Sequence, residues 1–171
     1  LDPYMLRQSQ GLGLNHPNLL KFFDIDLVFA TECKDVITAE CSHASMLILL
    51  ELASGNLRHW LNIRRKRASM DDIARLGFDM MNGLAYLHHR GFVHRRLHPS
   101  NVMMVEVEGA GDKDRMTAKI GDFQDMASYA HTALPIRDEH SAYTAPEILM
   151  GHDTYLPSAD MWSAGIILFE M

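Results

Sequence analysis

The polar stretch from His94 to Asn101 most constrains the fold, because it lies between two strongly predicted elements. Before it, apolar residues recur at spacings of three and four and form one helical stripe: Ile73, Leu76, Met80, Leu84 and Leu87. Ser69 is a good N-cap for this helix, and Gly91 is a good C-terminal stop. After the stretch, the apolar run from Val102 to Val105 predicts a strand. The sequence therefore predicts a polar loop held between a long helix and a strand.

Three further short motifs follow this stretch in the chain: Asp122-Phe123-Gln124, Ala145-Pro146-Glu147 and the run from Asp160 to Gly165. Together with the polar stretch, their order and spacing resemble the protein kinase family, from its catalytic loop through its magnesium loop to its αF helix. Four motifs in the right order are a far more specific signal than a single short motif. The resemblance covers nearly the whole chain.

The resemblance implies an α+β, protein-kinase-like fold that is truncated to part of the N-lobe and the mostly helical C-lobe. Residues 1–171 would form a single partial domain, with both ends cut. Residues 1–53 would be the N-lobe remnant and hinge, with an αC-like helix at 4–14 and strands at 22–30, 35–40 and 46–52. Residues 54–171 would be the C-lobe portion, with a helix capped by Asn56 and running to about Arg67, a hairpin of 102–107 with 117–120, and an αF-like helix at 157–171 whose apolar residues suit burial on most sides. We expect Met70, Met80 and Met81 to fill the core.

The residues expected to carry phosphoryl transfer are altered. By the resemblance, Arg96 stands at the position of the catalytic aspartate and His98 at that of the catalytic-loop lysine. A guanidinium has no acceptor atom and does not deprotonate in proteins, so Arg96 cannot take a proton from a hydroxyl. His98 could still donate one hydrogen bond to a phosphate, or it could be an ordinary exposed loop residue. No intact catalytic residue is therefore identified.

Two metal-binding positions are retained. Asn101 and Asp122 match the residues that hold magnesium in the family, through oxygen ligands that suit a hard cation. Their alternative role is to cap nearby backbone, as Asn and Asp side chains often do. Gln124 replaces a glycine of the family, which puts in doubt the freedom of this loop to change conformation.

The nucleotide-binding positions are incomplete. By the resemblance, Glu51, Ala53 and Met103 surround an adenine ring, and Leu50 is the gatekeeper. The family's αC glutamate falls near Arg7, which has the opposite charge. Neither the glycine-rich loop nor the strand lysine that pairs with this glutamate is found in this sequence. ATP and Mg²⁺ are the cofactors that the resemblance implies, and these departures speak against their use by this chain.

Four positions match residues that maintain the family's fold: His94, Arg95, Glu147 and Asp160. His94 is expected to be a packing group, and Asp160 to accept N–H groups of the catalytic loop. Arg95 could grip a phosphorylated loop, and Glu147 normally pairs with an arginine that would lie after Met171. Hydroxyl side chains that could be phosphorylated lie between Asp122 and Ala145: Ser128, Tyr129, Thr132, Ser141, Tyr143 and Thr144.

Composition narrows the class of partner. A net charge of -6 argues against a general nucleic-acid binder, and no apolar run approaches the roughly 18 residues of a membrane span. Cys33 and Cys41 do not suggest a disulfide framework or a zinc site, so we expect an intracellular, cytoplasmic protein.

The pattern as a whole suggests a pseudokinase, a kinase fold used for binding protein partners or for allosteric control. One alternative is an active ATP-dependent serine/threonine or tyrosine kinase whose glycine loop and lysine lie outside this chain. The other alternative is a non-functional gene fragment.

Overall fold

The computed structural model describes residues 13–29, 44–64, 68–107, 115–128, 142–152 and 154–171. In these residues the strands are β1 (Phe22–Phe29), β2 (Ala44–Leu50), β3 (Gly55–Asn56), β4 (Phe92–Val93), β5 (Val102–Glu106), β6 (Met116–Ile120) and β7 (Ala127–Ser128). The helices are α1 (Leu57–Arg64), α2 (Met70–His89), α3 (Pro146–Leu149) and α4 (Pro157–Glu170). The predicted strand at 35–40, the position of Arg7 and nearly all of the predicted helix at 4–14 lie outside the described residues.

Strands β1 and β2 pair with each other as an antiparallel sheet, from Phe22 opposite Leu50 to Phe29 opposite Ala44, with an irregularity after Phe22. The second strand ends at Leu50, two residues before the predicted end, so Glu51 lies in the connection that follows. Leu47 and Leu49 are more than half exposed on this sheet. Phe22, at the start of β1, nevertheless packs against the core, and its ring lies 5.6 Å from that of Phe123.

Side-chain caps fix the starts of the first two helices. The Asn56 Oδ1 atom accepts the backbone N–H of His59 at 2.9 Å and so caps α1. Ser69 and Asp72 form a capping box at the start of α2, where each side chain accepts the other residue's backbone N–H. Gly91 follows this helix with a φ of +84°, a conformation that glycine adopts without strain. Both predicted caps and the predicted stop are confirmed.

The core lies along one face of α2, which packs against β6. The stripe predicted from the sequence is buried at Leu76, Met80, Leu84 and Leu87, whereas Ile73 is partly buried. Met70, expected in the core, is 80% exposed because it lies in the first helical turn, beyond the packed face. The expectation for Met70 was wrong.

A three-stranded sheet in the order β3-β5-β6 covers this helix face. The β5–β6 hairpin runs from Val102 opposite Ile120 to Glu106 opposite Met116, as predicted. Ile120 also exchanges backbone hydrogen bonds with the segment before β1, since its N–H donates to Asn18 O at 2.9 Å and its carbonyl accepts from Leu20 N at 2.8 Å. The polar loop therefore begins and ends on elements that are fixed to one core.

Helix α4 lies against the start of this loop. Its N-cap is Leu156, which makes no side-chain capping bond, and Asp160 lies in its first turn. Pro157 occupies the first turn, where its missing N–H has no intrahelical partner to lose. The apolar sequence of this helix predicts burial on most sides. Phe169 is 89% exposed, so within the described part of the chain the helix is not buried in that way. Its buried residues are Ala159, Asp160, Ser163, Ala164 and Ile167.

Candidate functional site

Asn101 closes the polar loop on itself. Its side-chain Nδ2 donates to the backbone carbonyl of Arg96 at 2.8 Å, and its own backbone N–H donates to His98 O at 2.9 Å. The Asn101 carbonyl in turn accepts the N–H of Gly121 at 2.9 Å, which joins the loop to the segment after β6. The amide nitrogen of Asn101 is thus committed to the loop, and its Oδ1 is the side-chain atom that could meet a cation.

Asp160 holds the other end of the loop from α4. Its Oδ2 accepts the backbone N–H of His94 at 2.8 Å, and its Oδ1 accepts that of Arg95 at 2.9 Å. The carboxylate is 1% exposed, and His88 Nε2 lies 2.8 Å from its Oδ2. The backbone contacts are those expected for Asp160, whereas sequence reasoning missed His88. The signal for His88 was its position in the last turn of α2, close to the loop.

His94 is a packing group in this structure. It is fully buried, its Nε2 lies 2.9 Å from Gly121 O, and its Nδ1 lies 3.3 Å from the backbone N of Arg96. A carbonyl needs a donor and an N–H needs an acceptor, so these contacts assign the ring proton to Nε2. The ring also meets Phe123 edge-on, with centroids 5.9 Å apart. Both nitrogens therefore serve the loop backbone.

Arg95 takes an unusual backbone conformation to reach its contacts. Its φ is 71°, in the left-handed region that non-glycine residues rarely adopt. The guanidinium lies over the ring of Tyr155, with the carbon 4.3 Å from the ring centroid. Burial of this ring raises the pKa of Tyr155. The hydrogen bond from Arg95 N to Asp160 is one interaction that holds the strained residue in place.

Arg96 points toward two carboxylates. Its Nη1 lies 3.9 Å from Asp122 Oδ2 and 3.6 Å from Asp125 Oδ2. Sequence analysis did not single out Asp125. It lies at the end of the 3₁₀ turn formed by residues 123–125, three residues after Asp122. The structure thus brings Arg96 together with Asp122 and adds a second acid.

The magnesium-loop backbone differs from expectation at Gln124. The positive φ falls on Asp122, at 60°, whereas Gln124 lies within the 3₁₀ turn and has no positive φ. The Nε2 of Gln124 lies 3.4 Å from Asp122 Oδ2, which makes a long hydrogen bond. This loop conformation therefore does not require a glycine at 124.

His98 lies near a tyrosine that joins several elements. Its ring lies 6.2 Å from that of Tyr143. The Tyr143 hydroxyl accepts a hydrogen bond from Arg58 and donates to Glu170 Oε2 at 2.7 Å. Burial, and then the hydrogen bond to Glu170, raise the pKa of Tyr143. The loop, α1 and α4 thus meet at this tyrosine, which belongs to the set of predicted phosphorylatable residues.

The three residues of the predicted adenine region lie just after β2 and within β5. Glu51 donates its backbone N–H to Lys21 O at 2.9 Å, and its carboxylate pairs with Lys119. Met103 packs on Gly121, since a Cβ built there would lie 3.3 Å from Met103 Cγ. Ala53 is half-buried, and Leu50, the expected gatekeeper, is 38% exposed.

A cavity of about 290 Å³ lies on the other side of β5, against Met104 rather than Met103. Its remaining lining comes from the turn after β2, from α1 and from the start of β6: Ser54, Gly55, Asn56, His59, Trp60, Ile63 and Met116. This cavity does not include the residues of the predicted adenine region.

The retained metal positions are a poor fit for a resident magnesium ion. In the described part of the chain, no three His, Cys, Asp or Glu side chains form a group that could hold a metal. Asp122 already has the Arg96 guanidinium within 4 Å, and a second cation would be repelled there.

The other expected features have simpler outcomes. The Glu147 carboxylate accepts a long hydrogen bond from Ser158 Oγ, at 3.4 Å, so it contacts the start of α4. None of the helices in the described ranges is long and apolar enough to cross a membrane. Several phosphorylatable residues lie outside the described residues: Tyr129, Thr132 and Ser141.

Comparison with known proteins bears on the whole arrangement. A family model for the protein kinase domain matches residues 10–171. The chain is 29% identical over 169 residues to cyclin-dependent kinase F-3 of Oryza sativa subsp. japonica, covering 97% of this chain and 34% of the relative. It is 28% identical over 160 residues to cell division control protein 2 homolog 2 of Trypanosoma brucei brucei, covering 92% of this chain and 40% of the relative. The chain spans about a third to two fifths of these relatives.

A solved structure confirms the predicted fold. A chain of the yeast RNA Pol II CTD kinase CTDK-1 complex superposes with a TM-score of 0.71 at 21% identity, over 99% of this chain and 50% of that chain. At this level of identity the similarity concerns the fold alone. The α+β architecture expected from the four motifs is therefore present.

Proposed function

Since this chain belongs to the protein kinase family, we propose that it acts as a binding module that does not transfer phosphate. One observation carries the proposal: Arg96 stands at the position of the proton acceptor, and its guanidinium is directed at Asp122 and Asp125. An acceptor hydroxyl in this place would meet a permanent cation instead of a base. General-base help is typically worth about 10²–10⁴ in rate, and reversal of the charge adds to that loss.

The contacts that shape the loop are intact, which supports a folded module rather than a fragment without structure. Asp160 and Asn101 hold the loop backbone from both ends. Protein partners are the ligand class we propose, in line with the kinase complex to which the fold is similar. The poor fit for Mg²⁺ leads us to propose that any nucleotide binding is weak. An intracellular location stays a prediction from the few cysteines.

We also propose that the N-lobe remnant and hinge end at residue 53 and that the C-lobe portion begins at 54. The support is that β1 and β2 pair with each other, whereas Ser54 N donates to Met104 O at 2.9 Å and so begins the attachment to the β3-β5-β6 sheet.

A phosphotransfer assay with radiolabelled ATP and Mg²⁺, on peptides containing serine, threonine and tyrosine, tests the main proposal. We expect incorporation no higher than in a reaction without protein. Turnover that is present in the natural protein and disappears in both Asn101→Ala and Asp122→Ala would overturn the proposal, because it would come from this site.

An active kinase is the second candidate, and Asp125 is the observation that favours it. Its carboxylate lies 3.6 Å from Arg96 Nη1, close to the position of the missing base. If Asp125 accepted the proton, turnover would fall sharply in Asp125→Asn, whose side chain keeps its size but loses the basic oxygen. The same assay therefore separates the two candidates, since the first expects no turnover in either protein.

A further inference from the structure

The positive charge of Arg96 affects metal binding at this site as well as proton transfer. We infer that its guanidinium is a built-in cation that occupies the electrostatic place of a divalent metal between the polar loop and the 3₁₀ turn. The inference concerns the same site as the proposed function, but it does not depend on whether the protein transfers phosphate.

The geometry of the turn creates the need for a cation. Asp122 precedes the 3₁₀ turn in a left-handed conformation, and Asp125 ends the turn. One nitrogen, Arg96 Nη1, lies within 4 Å of an oxygen of each carboxylate. Two like charges held near one nitrogen repel each other, and a shared cation offsets that repulsion.

Partial burial makes this cation effective. The Asp125 side chain is 14% exposed, that of Asp122 is 28% exposed and that of Arg96 is 31% exposed. Solvent therefore screens the group less than it would screen a fully exposed pair. Because a guanidinium stays charged at any pH the fold survives, the neutralisation is permanent and does not depend on metal supply.

The charge count predicts what the site does to added metal. Two carboxylates and one guanidinium leave a formal charge of -1, which is too small to attract a hydrated divalent ion strongly. Replacement of Arg96 by a neutral residue leaves -2 and removes the repulsion. Asn101 is unaffected by that change, because its Nδ2 bonds the backbone carbonyl of residue 96 and not the side chain. The variant would therefore offer two carboxylates without the competing cation, and carboxylate oxygens are ligands that suit Mg²⁺.

The test measures Mg²⁺ binding by calorimetry and by thermal shift, without nucleotide, on three proteins. The natural protein should show no Mg²⁺-dependent stabilisation. Arg96→Gln, which keeps most of the side-chain length without the charge, should bind Mg²⁺ about tenfold or more tightly than the natural protein, because one unit charge within 4 Å has been removed. The double variant Arg96→Gln with Asp125→Asn should lose that gain, since it lacks one of the two acids.

Two results would overturn the inference. One is natural protein that binds Mg²⁺ as tightly as Arg96→Gln, and the other is a gain that persists in the double variant. If Arg96→Gln fails to melt cooperatively, Asp125→Asn alone is measured. The inference then requires that added Mg²⁺ does not raise the melting temperature of this variant. The phosphotransfer result is independent, because a protein can bind Mg²⁺ without turnover.

Discussion

The contact between Asp160 and the polar loop gives the sharpest prediction for stability. In Asp160→Ala, the backbone N–H groups of His94 and Arg95 lose their acceptor in a region where the carboxylate was 1% exposed. Each buried donor left without a partner costs about 1–3 kcal/mol, so the two together cost roughly 2–6 kcal/mol. The lost contact with His88 adds to this. For a domain of this size, we expect the melting temperature to fall by about 10 °C.

The assay is a thermal melt followed by circular dichroism, with Ser158→Ala as the matched control. Ser158 lies two residues earlier on α4, is exposed and makes a single long hydrogen bond to Glu147. Its replacement should cost no more than about 0.5 kcal/mol. Hydrogen exchange at His94 and Arg95 should also accelerate in Asp160→Ala. A loss in Asp160→Ala no larger than in the control would refute the idea that this carboxylate holds the loop.

Two further predictions concern close packing and pH. In Gly83→Ala the new Cβ would lie 2.7 Å from Asn18 O and 3.0 Å from Ile120 Cδ1; the helix should therefore shift and the protein lose about 1–3 kcal/mol in a denaturant melt, despite the better helix propensity of alanine. Because the folded pKa of Tyr143 is raised, the hydroxyl's stabilisation should be complete below the unfolded pKa of about 10 and disappear as pH rises through the higher folded value. Absorbance at alkaline pH, compared with Tyr143→Phe, measures this titration, and a midpoint at or below that of free tyrosine would contradict it.

Much of the fold could be predicted because local chemistry and long-range packing agree. The capping box at Ser69, the stop at Gly91 and the apolar stripe between them each follow from rules that act within a few residues. The hairpin of β5 and β6 could be predicted equally well, since an apolar strand on each side of a charged loop leaves few other pairings. Agreement of several local signals is what made these elements predictable.

The failures have a common physical cause. Met70 and Phe169 are apolar residues on helices that the sequence showed to be amphipathic or apolar, but their exposure depends on which neighbours cover them. Periodicity gives the face of a helix and not the extent of the surface packed against it. The start of α4 at Pro157 was predicted correctly, and Asp160 in its first turn uses its carboxylate for the loop and not for a cap.

In the site, the important residues could be identified from the sequence, whereas their partners could not. Arg96 and Asp122 were both singled out, yet their approach within 4 Å depends on the 3₁₀ turn and the positive φ of Asp122. Asp125 was missed because no family motif includes it. His98 was grouped with Arg96 by its position in the motif, whereas its ring lies near Tyr143.

The hydrogen bonds by which Asp160 and Asn101 hold the polar loop go to backbone atoms and not to the side chain at position 96, and this explains how the fold can persist while its chemistry changes. Asp160 accepts N–H groups from the backbone of His94 and Arg95, and Asn101 donates to the backbone carbonyl of Arg96. None of these bonds involves an atom of the Arg96 side chain. A substitution there changes the charge that faces Asp122 while leaving the loop's hydrogen bonds in place. The family's fold-keeping residues therefore do not by themselves indicate activity, and the charge at position 96 is the feature that decides between the two functions proposed here.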